Sequence, residues 1–425
     1  MSHEQEDANT SVATLTNGVR VVTVRLPHLE TVSVSVFVRT GSGHESRRLN
    51  GISHVVEHMA FKGTHERSEV NAHTDKDHTA YHMRGMARDA GRLVQMLGDI
   101  VQHSCFPEAE LERERQVILH EYIEDEDDPL STAYKLFDTT CFGAHPLAQP
   151  VIGTRRNVER FTRDDLLDYV HRQYTGANVV VGVAGDIDAD AIVAEVQAAF
   201  GAMARGSENV VAAPVHLGGI ASRRQPGCSQ THVVLGFPIP ALKDDYHASV
   251  VAAALFGEGM SSPLMDQIRE RRGLVYYAAC SADVMELCGQ FVIEASTAPR
   301  HLDELFDEVA RLLAAHAESI AAIDLERARN QIAVRNLRAH ERPFRRLEDA
   351  AQDLFVYGRV RSCSELTERI VSVTTDEVRE AFARMLASRP AIAIAGKVPK
   401  GITEHAAEVF PSPSGRGSNA ARAVR

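Results

Sequence analysis

Two histidines and a glutamate lie close together in the segment Gly51–Met59, at a spacing that suits a helix. Residues three and four positions apart share one helical face, so His54, Glu57 and His58 would point the same way. Imidazoles bind zinc, zinc lowers the pKa of a bound water to about 7, and a neighbouring carboxylate can carry the water's proton. The spacing therefore predicts a hydrolytic zinc site. The alternative is a helix whose histidines are ordinary polar positions.

A glutamate-rich segment downstream offers a third ligand, which a catalytic zinc usually requires. Residues 110–124 contain strong helix formers, with apolar residues at helical spacing. Glu114 and Glu121 are two turns apart and so share a face of that helix. One could bind the metal while the other holds a histidine, and their types alone leave both assignments open. Without the first motif, a solvated surface helix would be the ordinary interpretation.

Segments with recognisable motifs occur along the chain, and the likeness that they carry extends from about residue 14 to 398. They are Gly51–Thr64 with its H-x-x-E-H order, Asn71–Thr74, Glu112–Glu121, His145–Leu147, Ile152–Thr154, Gly257–Ser262, Arg269–Tyr276 and Glu326–Gln331. With these segments the sequence resembles the pitrilysin-type zinc metallopeptidases, or inverzincins, and in particular the bacterial relatives of the mitochondrial processing peptidase beta subunit.

The resemblance implies a set of metal-site residues. His54, His58 and Glu121 would bind one Zn²⁺ per chain, Glu57 would act as the general base, and Glu114 would support a ligand from the second shell of contacts. The resemblance thus separates Glu121 from Glu114, which the residue types alone do not.

The resemblance also implies residues that bind the peptide substrate. Asn71 and Ala72 would lie on a sheet edge to which an extended peptide adds as a strand. Arg269 and Tyr276 would hold the substrate backbone and stabilise the oxyanion. From residue types alone, a surface arginine and a core tyrosine would be the ordinary interpretation, and Tyr277 is an adjacent competitor for the tyrosine role.

One connection departs from the family pattern. Only the six residues His65 to Val70 lie between Thr64 and Asn71, where the family usually has about a dozen more, forming a helix and a Gly-Gly turn. That helix flanks the family's active site. The departure therefore affects the cleft shape and the substrate preference but leaves the ligand set unchanged.

Length and composition limit the class of protein. A chain of 425 residues is longer than a single hydrophobic core usually supports, so two or more domains are expected. A composition of 44% hydrophobic and 24% charged residues is typical of globular proteins. No apolar stretch reaches the roughly 18 residues of a spanning helix, so membrane insertion is not expected. The acidic N-terminus has no targeting pattern, which favours the cytoplasm. A net charge of −12 argues against nucleic acid as a partner.

A repeated pattern indicates the architecture. The alternation in Thr31–Val38 predicts a half-buried strand, and Thr162 with Asp165 predicts a capped helix that leads into a strand at 178–185. The same helix start recurs at Thr374–Glu377, half a chain later, before the apolar run Ala391–Gly396. An internal duplication is the natural interpretation.

The predicted fold is α+β, with two duplicated α/β domains, each a mainly antiparallel sheet packed by helices. The resemblance adds that such a pair forms a metallopeptidase half-clamshell. The predicted ranges are a flexible N-terminus at 1–13, the zinc-binding catalytic domain at 14–203, a linker at 204–226, a C-terminal domain without metal at 227–410, and a disordered tail at 411–425.

The predicted function is that of a zinc-dependent endopeptidase acting on peptides or on leader- or presequence-like segments. The resemblance implies a dimer, either of this chain with itself or with a paralogous subunit. The alternative is a non-catalytic or partner-dependent subunit of a heterodimeric peptidase. His73, His78 and His82 occupy strand and turn positions of mixed parity, which face opposite sides of a strand, so the sequence predicts no second metal site there.

Overall fold

Strands and helices alternate through the first half of the chain. The computed structural model describes residues 4–7, 9–62 and 70–411, and the predicted tail beyond Pro411 lies outside them. The strands are β1 Glu4–Asp7, β2 Thr10–Thr14, β3 Arg20–Arg25, β4 Thr31–Val38, β5 Val70–Thr74, β6 Thr79–Met86 and β7 Val179–Gly185. The helices are α1 Ile52–Ala60, α2 Ala90–His103, α3 Glu108–Asp127, α4 Pro129–Phe142, α5 Arg155–Arg160, α6 Arg163–Gln173 and α7 Ala189–Phe200.

The second half repeats this alternation. Its strands are β8 Gly219–Arg224, β9 Thr231–Ile239, β10 Val275–Val284, β11 Gly289–Thr297 and β12 Ala391–Gly396. Its helices are α8 His247–Gly257, α9 Pro263–Met265, α10 Leu302–Glu318, α11 Ala322–His340, α12 Pro343–Tyr357, α13 Cys363–Ser372, α14 Thr375–Ala387 and α15 Ile402–Val409. A π-helical segment, Asp266–Arg271, continues α9.

The sheet topology confirms the predicted duplication. One sheet has the strand order β1-β2-β3-β7-β4-β6-β5, and the other has the order β10-β11-β9-β12-β8. Taken in the opposite direction, the second order repeats the last five strands of the first, strand for strand. Each sheet contains a single parallel pairing, β3 with β7 and β8 with β12, and the other pairings are antiparallel. The mainly antiparallel character is therefore confirmed.

The chain forms two compact units that exchange helices. The first unit consists of the described residues within Met1–Tyr122, Gln149–Val211 and Asn336–Leu366, and the second of those within Ile123–Ala148, Ala212–Arg335 and Thr367–Arg425. Helix α12 thus belongs to the first unit and α4 to the second, so the predicted ranges 14–203 and 227–410 each contribute a helix to the other unit. The predicted linker contains β8, and the predicted flexible N-terminus overlaps β2, which pairs with β3.

Each exchanged helix covers one face of a sheet. In the first unit, Leu347, Ala350 and Leu354 of α12 pack with apolar residues of β3, β4 and β7. In the second unit, Phe137 of α4 packs with β9, β11 and β12. Because α12 covers this face, β4 is buried on both sides, including Ser35. The prediction of a half-buried strand at β4 is therefore wrong.

The two predicted helix starts are confirmed. Thr162 and Asp165 form a reciprocal capping box at α6, and Thr374 and Glu377 form another at α14. Each threonine hydroxyl accepts a backbone N–H from the third helical residue, whose carboxylate in turn accepts the threonine N–H. Among the described helices, none combines the length and the apolarity that crossing a bilayer requires.

Candidate metal centre

Helix α1 begins where two glycine backbones meet. Gly51 precedes the helix with a φ of 96°, and a Cβ atom there would lie 2.8 Å from the Cα of Gly153. Only glycine combines a left-handed conformation with so close an approach. The pair therefore fixes the position at which α1 starts.

A carboxylate that precedes the helix in the sequence caps its first turn. The buried Glu45 accepts hydrogen bonds from the backbone N–H groups of Gly51, at 2.7 Å, and Ser53, at 2.8 Å, and from the Asn50 amide, at 3.1 Å. The first N–H groups of a helix have no partner within the helix, and negative charge is favourable at this end. Burial raises the pKa of Glu45, and these hydrogen bonds oppose the rise. Glu45 thus anchors the helix that carries the histidines.

The two faces of α1 have different environments. Ile52, Val55, Val56 and Met59 are buried in the core of the first unit. His54, Glu57 and His58 lie on the remaining face and are partly exposed. The apolar face therefore holds the helix against the core, and the side chains of the polar face are available to bind a metal ion and a substrate.

Three donor atoms converge beside this face. His54 Nε2 lies 3.2 Å from His58 Nε2, and Glu121 Oε2 of α3 lies 3.7 Å from the former and 3.5 Å from the latter. Ligands at the usual zinc bond lengths, arranged tetrahedrally, lie about 3.3–3.5 Å from one another. The donor set and its spacing therefore fit a zinc ion with three protein ligands and a fourth position open.

The surroundings of the two histidines also suit metal binding. Burial, and then the charge of nearby His58, lower the pKa of His54 to about 4, so its ring is neutral at neutral pH. His58 Nδ1 lies 3.1 Å from Glu114 Oε2. A proton held on Nδ1 by this carboxylate leaves the Nε2 lone pair directed at the other donors.

Glu114 is itself held in place by a cation. Its Oε1 lies 2.6 Å from the Lys62 ammonium. Burial alone would raise the pKa of Glu114, but the hydrogen bonds from Lys62 and His58 outweigh burial and lower it. The structure thus places Glu121 among the three converging donors and Glu114 behind His58.

Glu57 is positioned by a neighbouring strand. Its Oε2 accepts a hydrogen bond of 2.6 Å from the Thr74 hydroxyl on β5. Burial raises the pKa of Glu57, opposed by the Thr74 hydroxyl and by His58. A carboxylate whose pKa is moved towards neutrality is suited to accept and return a proton.

Strand β5 forms one edge of its sheet and carries Asn71 and Ala72. The Asn71 side chain is exposed, and its Oδ1 accepts the Ala72 N–H at 2.9 Å. An edge strand presents backbone groups with which an extended peptide can pair. The shortened connection before Asn71 lies, apart from Val70, outside the described residues.

Arg269 and Tyr276 lie in the second unit and are not part of the converging group on α1 and α3. Arg269 belongs to the π-helical segment, where its guanidinium lies 3.0 Å from the Met260 sulfur. Tyr276 lies in β10 and is 79% exposed, against 47% for Tyr277. An exposed tyrosine is available to a ligand, and the predicted core tyrosine is therefore the wrong alternative for residue 276.

Comparisons with known proteins identify the family of this chain. Residues 20–155 match the family described as insulinase (peptidase family M16), and residues 160–332 match the peptidase M16 inactive domain. An uncharacterized zinc protease from Rickettsia bellii is 30% identical over 403 residues, which cover 91% of this chain and 98% of that protein. The chain belongs to peptidase family M16. An uncharacterized zinc protease from Mycobacterium tuberculosis is 32% identical over 408 residues, covering 90% of this chain and 92% of that protein.

Solved structures of similar proteins support the M16 fold. A protease from Helicobacter pylori superposes with a TM-score of 0.83 at 21% identity, covering 93% of this chain and 99% of that chain. A peptidase M16 inactive domain from Pseudomonas fluorescens gives 0.83 at 20% identity, covering 92% and 99%. The predicted pitrilysin-type resemblance and the two duplicated α/β domains are thus confirmed.

Three residues that position the site were not singled out by sequence reasoning. Thr74 and Lys62 lie inside segments that carry the family resemblance, which is a signal that could have found them. Glu45 lies outside those segments, and nothing in its local sequence indicates that it caps α1. Its role depends on the chain folding back so that Glu45 meets the start of α1.

Proposed function

We propose that this M16 protein is a zinc-dependent endopeptidase that cleaves peptides or leader- and presequence-like segments. One zinc ion per chain would be held by His54, His58 and Glu121. The observation that carries the proposal is the convergence of His54 Nε2, His58 Nε2 and Glu121 Oε2 within 3.2–3.7 Å, next to Glu57.

The proton transfers fall to Glu57. Zinc, when bound, would supply a Lewis acid that lowers the pKa of water. Glu57 accepts a proton from the water that attacks the peptide carbonyl carbon, and it returns that proton to the leaving amine nitrogen as the C–N bond breaks. The Thr74 hydroxyl donates to Glu57 Oε2 and so orients the carboxylate, and we assign the proton to Oε1, the oxygen that does not accept this hydrogen bond. Glu114 keeps the Nδ1 proton on His58 throughout.

The substrate would bind as an extended strand along β5, near Asn71 and Ala72. Pairing of main chains demands little of the peptide sequence, which suits leader segments of varied composition. Arg269 and Tyr276 are proposed to hold the peptide backbone and to stabilise the oxyanion. The exposure of the Tyr276 side chain supports this assignment.

We further propose that the chain works as a dimer, with a second copy of itself or with a paralogous subunit. The mass of the purified chain in solution distinguishes the two: a self-sufficient enzyme forms a homodimer, whereas half of a heterodimer stays monomeric until the paralogue is added.

The test is cleavage of unstructured peptides by the purified chain, with and without a zinc chelator, and by the Glu57→Gln variant. We expect the chelator to abolish cleavage and Glu57→Gln to lower kcat by about 10²–10⁴-fold, because the proton transfer is lost while zinc still binds. Glu112→Gln, an identical change at an exposed position of α3, serves as the control and should leave kcat unchanged. Cleavage that survives both treatments contradicts the proposal.

A second candidate is a partner-dependent or non-catalytic subunit. It is favoured by one observation, that residues 160–332 match a domain described as inactive. The converging donors, however, lie on α1 and at Glu121, in the half that matches the insulinase description. A zinc-loaded chain that cleaves peptides only after a paralogous subunit is added would favour this candidate.

A further inference from the structure

A second group of metal-binding side chains lies in the first unit, at the hairpin of β5 and β6. Glu348 Oε1 of α12 lies 3.1 Å from His73 Nε2 and 3.7 Å from His78 Nε2. Asp75 Oδ2 lies 3.9 Å from His73 Nε2. The donor atoms of His73, Asp75 and His78 all lie within 4.8 Å of one another. The three contacts with stated distances span 3.1–3.9 Å, against 3.2–3.7 Å for the site on α1.

The hairpin register explains why these residues meet. His73 pairs with Ala80 and Thr74 pairs with Thr79, so the chain reverses tightly between Asp75 and His78. Residues paired across two strands share a face, and parity along a single strand does not apply across the turn. The expectation that mixed parity keeps these histidines apart is therefore wrong for His73 and His78. Helix α12 packs on the same face, which places Glu348 above them.

One of the two oxygens of the Glu348 carboxylate already forms an ion pair. Arg345 lies 2.5 Å from Glu348 Oε2, which leaves Oε1 directed at the two imidazoles. Of these two contacts, only the one with His73, at 3.1 Å, is of hydrogen-bond length. His78 Nε2 is buried, and its contact with Glu348 Oε1, at 3.7 Å, is longer than a hydrogen bond. An ion between the two atoms would satisfy both, whereas the long direct contact satisfies neither fully.

We propose that His73, His78 and Glu348, with Asp75 at the solvent side, bind a second divalent transition-metal ion of the zinc class. Two imidazoles and two carboxylates form a donor set for such ions, and the two negative charges neutralise the ion. The His78 and Glu348 side chains are only 16% and 13% exposed, which limits competition from water. Asp75, at 62% exposed, lies where an ion can enter.

The second ion would be structural. It would tie α12, which comes from the second half of the sequence, to the edge hairpin of the sheet. Successive strand residues face opposite sides, so His73 faces α12 while Thr74 faces Glu57. The ion would thereby steady the strand that positions Glu57, without touching the reacting groups. This proposal does not depend on peptidase activity.

The test measures bound metal in the full chain after the first site is removed by the double change His54→Ala and His58→Ala. The purified variant is equilibrated with a small excess of Zn²⁺ or Co²⁺, freed of unbound metal, and analysed for ions per chain. We expect one ion per chain, visible ligand-field absorption of Co²⁺, and a higher thermal unfolding midpoint with Zn²⁺ than without it. Adding His78→Gln and Glu348→Gln should remove the ion and both signals.

The matched control is His82→Ala, which removes a nearby imidazole outside the proposed donor set and should leave one ion bound. In case the double variant does not fold, the unaltered chain provides the same test. It should hold two ions, and Glu348→Gln should reduce the count to one. A folded double variant without bound ion, or an unaltered chain with one ion, overturns the proposal.

Discussion

Helices α1 and α8 occupy equivalent places in the two units but have different surfaces. Helix α1 packs against β5 and α6, and α8 packs against the corresponding β10 and α14. Residues Val251–Phe256 of α8 are buried around the whole helix, whereas α1 leaves His54, Glu57 and His58 partly exposed. One fold position thus supports either core packing or chemistry. What decides between them is whether the outer face of the helix is apolar or polar.

The largest effect is expected from His58→Ala in α1. The chain should lose one bound zinc ion, and peptide cleavage should fall by about a thousandfold or more, because the metal supplies several kcal/mol of transition-state stabilisation. Metal analysis and peptide kinetics measure the two losses. Since His58 lies outside the buried apolar face of α1, the unfolding midpoint of the metal-free chain should fall less than on removal of a core side chain. A large drop in that midpoint would show that α1, like α8, is mainly a packing element.

The opposite result is expected from Leu255→Ala in α8. Leu255 is fully buried, so the change should lower the free energy of unfolding by about 2–5 kcal/mol and leave the zinc content unchanged. Chemical denaturation, followed alongside metal analysis, measures both. Leu337→Ala, at a position that is 52% exposed, is the control and should cost far less. Equal costs at the two leucines would contradict the role assigned to α8.

A smaller effect is expected from Glu114→Gln, which weakens the hydrogen bond to His58 without removing a ligand. Loss of such a supporting carboxylate typically lowers metal affinity by about 10–100-fold. Competition with a chromophoric chelator measures the affinity. The exposed Glu112 on the same helix provides the control change Glu112→Gln. Identical affinities for the two variants would mean that Glu114 does not support His58.

The smallest effect concerns a feature that the two units share. Thr162→Ala at α6 and Thr374→Ala at α14 should each lower the free energy of unfolding by about 1 kcal/mol, because each removes one capping box. Denaturation of the two variants measures the costs, and Thr→Ser at each position should restore most of the stability. Clearly unequal costs would show that the repeated helix starts are not energetically equivalent.

Local patterns predicted much of this architecture. The period-2 alternation of β4 matches its observed bounds, and the capping threonines mark the starts of α6 and α14 correctly. These features depend on residues within one turn or one strand, where the physical preferences act over a few positions. The burial of β4 on both faces was not predictable in this way, because the helix that covers its second face comes from residues 343–357.

The sequence by itself determined the helix that presents His54, Glu57 and His58, since the spacing of three residues and the period of an α-helix suffice. Only the tertiary structure decided which residues support that helix and the strand beside it. Glu45 reaches the start of α1 through a turn of the chain, Thr74 of β5 reaches Glu57, and Glu348 of α12 reaches His73. These contacts follow from how the chain turns, strands pair and helices pack, and no local periodicity encodes them.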